Sequence, residues 1–358
     1  MTGWFRVALA VLLLGALAGA TDYYLDALLG DDRNPGTSPE APWQSPERLR
    51  RVRFAPGDRV FFRRGRVWHG GLRLDGVSGT KEAPVRVGAW GSGPPPRFDG
   101  TEAPSWTPLG GGLYRAPWPG AEPPGLLYYR GEPRPPLKVL RFPRPPEGLR
   151  PGAILLQLQG GYRAFQVVGV RGARVAVIGF FQVAPGVPVQ VRQLEAGREV
   201  VWPEPLSPPE QVYDPMLLLR DGDWLYDPEE RAVYLRSRRP PEEVGVRWAR
   251  AAVGLHLVRS RYVEVSELAF MGFGQVGVWV QGSEEVVLRH LLVSGVGASG
   301  HKTGILLFSS ERSLVQDSRV EDVMGNGIGV YARGPPESDA FRAVENRIVG
   351  NRVLRAGT

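Results

Sequence analysis

Apolar positions recur in a fixed pattern through the last third of the chain. Four stretches align, running Val263–Phe270, Val286–Val293, Ser313–Val320 and Arg342–Val349. The column Val265/Leu288/Val315/Val344 is apolar throughout, and so is the column Phe270/Val293/Val320/Val349. The spacing between copies widens along the chain, from Val263 to Val286, Ser313 and Arg342. A shorter apolar run lies upstream of each copy: Leu255–Leu257, Val278–Val280, Ile305–Leu307 and Ile328–Val330. Gly254, Gly277, Gly304 and Gly327 precede these runs, one per repeat. Alternation of period two in runs this short predicts strands rather than helices. A repeat of roughly 20–30 residues without a helical stripe predicts a solenoid. The expected fold is therefore all-β: a right-handed parallel β-helix with three short strands per turn and glycines at its corners. Its coils would stack at about 4.8 Å. One coil cannot bury its own face, so several must stack to make a core.

The spacing also predicts where the coils bulge. Extra residues fall around Gly297–Lys302 and again near Gly334–Asp339. Loops on a rigid scaffold are where solenoids place function. Asp317 and Asn346 fall in one column with Glu267 and His290, at a turn between two strands. Asn there tolerates a left-handed backbone and can bond to the coil above.

Upstream the pattern changes. Ser45–Val52 reads as a short capped helix with Pro46 at its first position. Residues 101–215 carry strand-like runs at Ile154–Leu158, Phe165–Val170 and Arg174–Ile178 between Pro-rich turns, and read as a small β insert. The expected organisation is 1–20 a signal, 21–100 an N-terminal cap and first coil, 101–215 the accessory β insert, and 216–358 a hairpin and the repeated coils. At the N-terminus, Arg6 precedes an apolar run from Val7 to Leu17 and then Ala18-Gly19-Ala20. That combination describes a secretory signal cut after Ala20, giving a secreted or periplasmic protein with no membrane span after cleavage. Thr358 is expected to fall inside a coil, the pattern of a chain cut short.

Composition narrows the chemistry. Gly at 47 and Pro at 34 of 358 residues exclude an all-helical bundle. Cysteine is absent, which excludes disulfides, thiolate metal sites and a cysteine nucleophile. The net charge is +7, carried almost wholly by arginine, with Lys only at 81, 138 and 302. The arginines are scattered and follow no nucleic-acid-binding motif, so no nucleic-acid partner is expected. Guanidinium forks do match carboxylates, which makes acidic polysaccharides a natural partner class.

Several motifs carry a family resemblance. Asp31–Ser38, Pro42-Trp43, Pro56–Gly65 and Gly88–Gly93 resemble the amino-terminal cap of secreted right-handed β-helix proteins, the pectate-lyase-like polysaccharide lyases and β-helix glycosidases. Asp223–Arg236 resembles a hairpin of the glycosidase branch. The resemblance implies a secreted carbohydrate-active protein that binds, and as an enzyme cleaves, polysaccharide. Lyases, hydrolases and non-catalytic binding relatives share the architecture, so the reaction stays open between them.

A lyase needs a base for a ring proton and a cation for the uronate carboxylate. A glycosidase needs two carboxyls, about 5–5.5 Å apart if retaining and about 6.5–9.5 Å if inverting. Glu321 and Asp322 follow the third repeat, and His301 sits on the first bulge. These three are the candidate catalytic groups. Trp279, on the outward side of an upstream strand, and Asp339, on the second bulge, are the candidate substrate contacts. Asp31, Asp32 and Asn34 present oxygen atoms of the kind that bind Ca²⁺, although Asp-Arg-Asn-Pro-Gly also reads as a plain turn. No other cofactor or metal is implied.

Overall fold

The computed structural model describes residues 19–157, 163–179, 184–195, 198–297, 301–332 and 342–357. The chain is nearly all β, and its backbone is three stacks of parallel strands. The first stack contains Asp22–Leu25, Arg59–Arg63, Val85–Trp90, Arg261–Ser266, Glu284–Arg289, Leu314–Gln316 and Arg347–Val349. The second contains Val67–His69, Arg97–Asp99, Ala269–Phe273, Leu292–Val296, Arg319–Val323 and Arg352–Ala356. The third contains Leu72–Asp75, Val253–Val258, Val276–Gln281, Thr303–Phe308 and Asn326–Tyr331. Every pairing within these stacks is parallel, and each turn of chain visits the third, first and second stack in that order. Inward side chains form columns such as Val87–Val265–Leu288–Val315 and Phe98–Phe270–Val293–Val320, which merge into one continuous apolar core.

The last coil departs from the expected alignment. Val315 pairs with Ile348 and Val320 with Val353, so Ile348 and Val353 take the places expected of Val344 and Val349. Val344 lies outside the paired strand, and Ile348 and Val353, in the last coil, are partly exposed as Val344 is. The expectation failed because 344/349 and 348/353 are both apolar pairs of the same separation. Either satisfies the spacing set by the earlier coils. The turn column moves with the register. Below Glu267, His290 and Asp317 sits Gly350, all four with left-handed φ between 47° and 68°. Asn346 instead lies beneath Ser313, and Asn351 beneath Ser318. Their side-chain oxygens accept from Ser313 N at 3.0 Å and Ser318 N at 2.9 Å. Their amide nitrogens donate to Ser310 O at 2.7 Å and Val315 O at 2.8 Å. The asparagine-to-coil bonds exist, but in columns that are apolar higher up, at Val286 and Leu291.

The four repeat glycines serve the interior rather than the turns. A Cβ on Gly277 would lie 2.3 Å from Val293 Cγ1, and one on Gly304 would lie 2.4 Å from Val320 Cγ1. Each also faces the carbonyl of the glycine one coil on, at 2.3 to 2.7 Å for Gly254, Gly277 and Gly304. The backbone passes so close to the facing valines that no side chain fits.

The chain leaves the stacks after Arg97–Asp99 and re-enters them at Val253–Val258. The excursion forms antiparallel sheets. Seven strands between Lys138 and Val212 make one, around a core of Leu155, Phe165, Val175 and Val191. The hairpin Trp224–Asp227/Ala232–Arg236 pairs back with Leu113–Pro117, so strand pairing crosses the expected boundary at 215/216. Pro46–Arg51 is a 3-10 helix that buries Leu49. Ser45 does not cap it with its side chain; its hydroxyl donates to Asp32. No helix among the described residues is long and apolar enough to cross a membrane.

Candidate functional site

The second stack builds a carboxylate pair through a repeated irregularity. Between its two inward columns, Phe270/Val293/Val320/Val353 and Phe273/Val296/Val323/Ala356, each strand has one outward residue and one left-handed residue. The left-handed positions are Gly272, Gly295, Asp322 and Arg355. This extra residue turns two consecutive side chains outward, so Glu321 and Asp322 both face away from the core. Glycine is required at the first two positions by crowding. A Cβ on Gly272 would meet Thr101 Cγ2 at 2.2 Å, and one on Gly295 would meet the Tyr128 hydroxyl at 1.8 Å. Tyr128 reaches over from the antiparallel region and donates to Gly295 O at 2.9 Å. Burial pushes its phenol well above the usual range, and the negative charges of Asp99 and Asp322 add to that.

Beyond Tyr128 the column opens, and arginine fills it. Arg355 Nε and Nη2 donate to the two oxygens of Asp322 at 2.5 and 2.8 Å. The same Nη2 lies 3.7 Å from Glu321 Oε2. One nitrogen thus touches both acids, and their oxygens can be no farther apart than the two contacts laid end to end. Arg319 Nη2 donates to the same Glu321 Oε2 at 2.6 Å. Sequence reasoning missed Arg355 because it occupies the Asp322 column only in the corrected register.

The outer face of the third stack carries the other group. Arg73, His256, Trp279, Leu306 and Gly329 lie in one row. The His256 ring stacks on Trp279 with centroids 4.7 Å apart and planes 17° apart, and His301 meets Trp279 edge-on at 4.9 Å. Phe308 closes the cluster, 6.4 Å from Trp279. One face of Trp279, the candidate substrate contact, is thus taken by His256. His256 Nδ1 lies 2.9 Å from Arg73 Nη1 and Nε2 lies 2.9 Å from Gln281 Oε1. A guanidinium only donates, so Nδ1 is the acceptor and Nε2 carries the proton. Burial, helped by the Arg73 charge, holds the imidazole below its ordinary pKa, against the Gln281 bond.

The structure therefore joins Glu321 to Asp322 and Trp279 to His301. No hydrogen bond or ring contact among the described residues links one pair to the other. Asp339 lies outside the described residues. The expected calcium ligands form a turn: Asp31 binds Arg33, Asp32 accepts from Gln44 N and Ser45 N, and Asn34 donates to Pro42 O. Among the described residues no group of three or more metal-ligating side chains comes together. Many arginines are paired, among them Arg59, Arg63, Arg64, Arg66, Arg73 and Arg86, so the positive charge is not a free guanidinium array.

No protein-family model matches the chain. A stretch of 77 residues, 21% of the chain, is 32% identical to the lacto-N-biosidase of Bifidobacterium longum subsp. longum, and spans 5% of that enzyme. In three dimensions the chain is similar to a solved structure described as a glycoside hydrolase, with a TM-score of 0.60 and 14% identity, over 94% of this chain and 74% of that one. A GH136 lacto-N-biosidase from Eubacterium ramulus aligns at a TM-score of 0.44 and 16% identity, over 94% of this chain and 42% of that one. The TM-score of 0.60 shows a shared fold.

Proposed function

We propose that the protein is an exported, saccharide-active β-solenoid of right-handed wind, and a glycoside hydrolase whose reacting groups are Glu321 and Asp322. The observation that carries this reading is the carboxylate pair itself, two adjacent acids turned outward and bridged by one guanidinium nitrogen. Two oxygens bridged through contacts of 2.8 and 3.7 Å are held close together. Such closeness suits the roughly 5–5.5 Å separation of retaining enzymes better than the wider inverting one. In such a reaction one carboxylic acid protonates the leaving glycosidic oxygen. The other carboxylate attacks the anomeric carbon, and water then releases the sugar and restores both groups. Arg355 occupies both acids in the free protein, so saccharide must displace it. Its side chain is 60% exposed, open to solvent from which saccharide would approach. The similarity to a lacto-N-biosidase and the fold shared with a glycoside hydrolase favour hydrolysis over lyase chemistry. His301, expected as a catalytic group, meets Trp279 rather than Glu321 or Asp322 and is assigned with Trp279 to saccharide contact, as is Asp339 on sequence grounds alone.

The test is reducing-sugar release from neutral and acidic oligosaccharides, run beside an ultraviolet assay for unsaturated uronate. Hydrolysis reduced about 10²–10⁴-fold by Glu321→Gln and by Asp322→Asn is the expected result. Product formation indifferent to both substitutions overturns the assignment. Saccharide binding without any turnover selects the non-catalytic reading.

A further inference from the structure

Asp58 is a carboxylate almost fully removed from water, 2% exposed, with no arginine, lysine or histidine within ion-pair distance among the described residues. It differs in this from Asp26, the other deeply buried acid of the first coils, which is held by two arginines. Two main-chain N–H groups serve Asp58. Ala55 N donates to Oδ2 at 2.8 Å, and Thr21 N donates to Oδ1 at 2.7 Å. Burying an ionised carboxylate without a counter-charge is costly, and neutral amides offset only part of that cost.

Thr21 is the residue that follows Ala18-Gly19-Ala20. Gly19 and Ala20 are both exposed and take part in no hydrogen bond among the described residues. From Thr21 onward the chain is fixed: Thr21 O accepts from Arg59 N at 2.8 Å, and Asp22–Leu25 pairs in parallel with Arg59–Arg63. The boundary between bare and anchored backbone therefore falls at the bond between Ala20 and Thr21.

We propose that cleavage of this bond creates the counter-ion of Asp58. Hydrolysis of the peptide consumes one water and leaves a carboxylate on Ala20 and an α-amine on Thr21. Once protonated, that amine already lies against Asp58 Oδ1, where the amide nitrogen lies now. A neutral hydrogen bond becomes a charge-assisted one, without any rearrangement of the strand. The Ala20–Thr21 bond is thus a maturation site that fastens the edge strand of the first stack. The N-terminus at Thr21 is recognised by a buried carboxylate rather than left free in solvent. The position of the cut rests on the export reading, whereas the ion pair can be tested apart from it.

The experiment uses residues 21–358 released from a fusion by a protease that cuts directly before Thr21, so no secretion is needed. It is compared with the same protein extended by Gly-Ala. The Thr21 α-amine is titrated by pH-dependent labelling, and melting is followed in both proteins with Asp58 and with Asp58→Asn. The amine is expected to titrate at about 9 or above rather than at the ordinary 7.7–8.0, and to return to that range in Asp58→Asn. The extension is expected to lower the melting temperature with Asp58 present and to have no effect in the Asp58→Asn background. An ordinary amine pKa, or an extension effect equal in both backgrounds, overturns the ion pair. N-terminal sequencing of the exported protein tests the cut on its own: a start other than Thr21 defeats the export reading and leaves the titration result standing.

Discussion

Arg355 grips Asp322 through both oxygens, and the two residues occupy the same left-handed column one coil apart. The pair is partly exposed, so it contributes little to stability. If saccharide must displace the guanidinium, Arg355→Ala leaves the fold intact and lowers KM. Thermal melting and steady-state kinetics on one preparation check both halves. A raised KM would make Arg355 a substrate contact instead of a competitor.

The repeat glycines give a prediction with two signs. Gly304→Ala places a methyl group 2.4 Å from Val320 Cγ1 and 2.5 Å from Gly327 O. Overpacking of this kind costs about 1–3 kcal/mol. Gly88 also lies in a strand, yet its Cβ would meet nothing nearer than 3.4 Å. Gly88→Ala is expected to be neutral or to stabilise by about 0.4–1 kcal/mol. Denaturant midpoints for the two variants should part company, Gly304→Ala falling and Gly88→Ala holding or rising. Equal shifts would count against the interior role of the repeat glycines.

These residues also show what the sequence could reveal. The period-two runs and the apolar columns at 265/288/315 and 270/293/320 were legible because a buried strand face admits only one register. The last coil was not, because Val344/Val349 and Ile348/Val353 present the same spacing, and only backbone pairing separates them. Asp322 and Arg355 could be joined only after that register was corrected. Tyr128 and Gly295 are far apart along the chain, and no local pattern announces a contact of that span. The glycines were visible as a repeat, while their purpose required the facing valines.

Asp26 predicts a specific acid weakness. Its carboxylate is fully buried between Arg63 and Arg66, each 2.8 Å away, and accepts from Leu28 N and Leu29 N. Burial alone would raise its pKa, but Arg66, the two backbone donors and Arg63 outweigh it and hold the group below the ordinary carboxylate range. A depressed folded-state pKa means that the stability Asp26 contributes is present above the unfolded value, near 3.9, and is lost as pH falls through the folded value. Asp26→Asn should therefore lower the melting temperature at pH 7 and narrow its gap from wild type in strong acid. A gap that stays constant from pH 7 to pH 2 would remove this role.

His256 titrates below its ordinary value as well, for a different reason. Burial, and then the Arg73 charge, depress its pKa below 6.5, so the imidazole stacked on Trp279 is neutral at pH 7. Its Nδ1 lone pair faces the Arg73 guanidinium, and protonation would set an N–H against that cation. The stability tied to the neutral ring is present above the unfolded pKa and declines as pH falls through the folded one. The chain has four histidines, so the imidazole proton resonances can be followed individually and His256 assigned by His256→Gln. Its resonance should titrate below 6.5. Arg73→Leu should move it part of the way back, since the burial contribution remains. A midpoint at or above 6.5, or one indifferent to Arg73→Leu, would contradict the tautomer assigned from the Arg73 and Gln281 contacts, and with it the fixed orientation of the ring against Trp279.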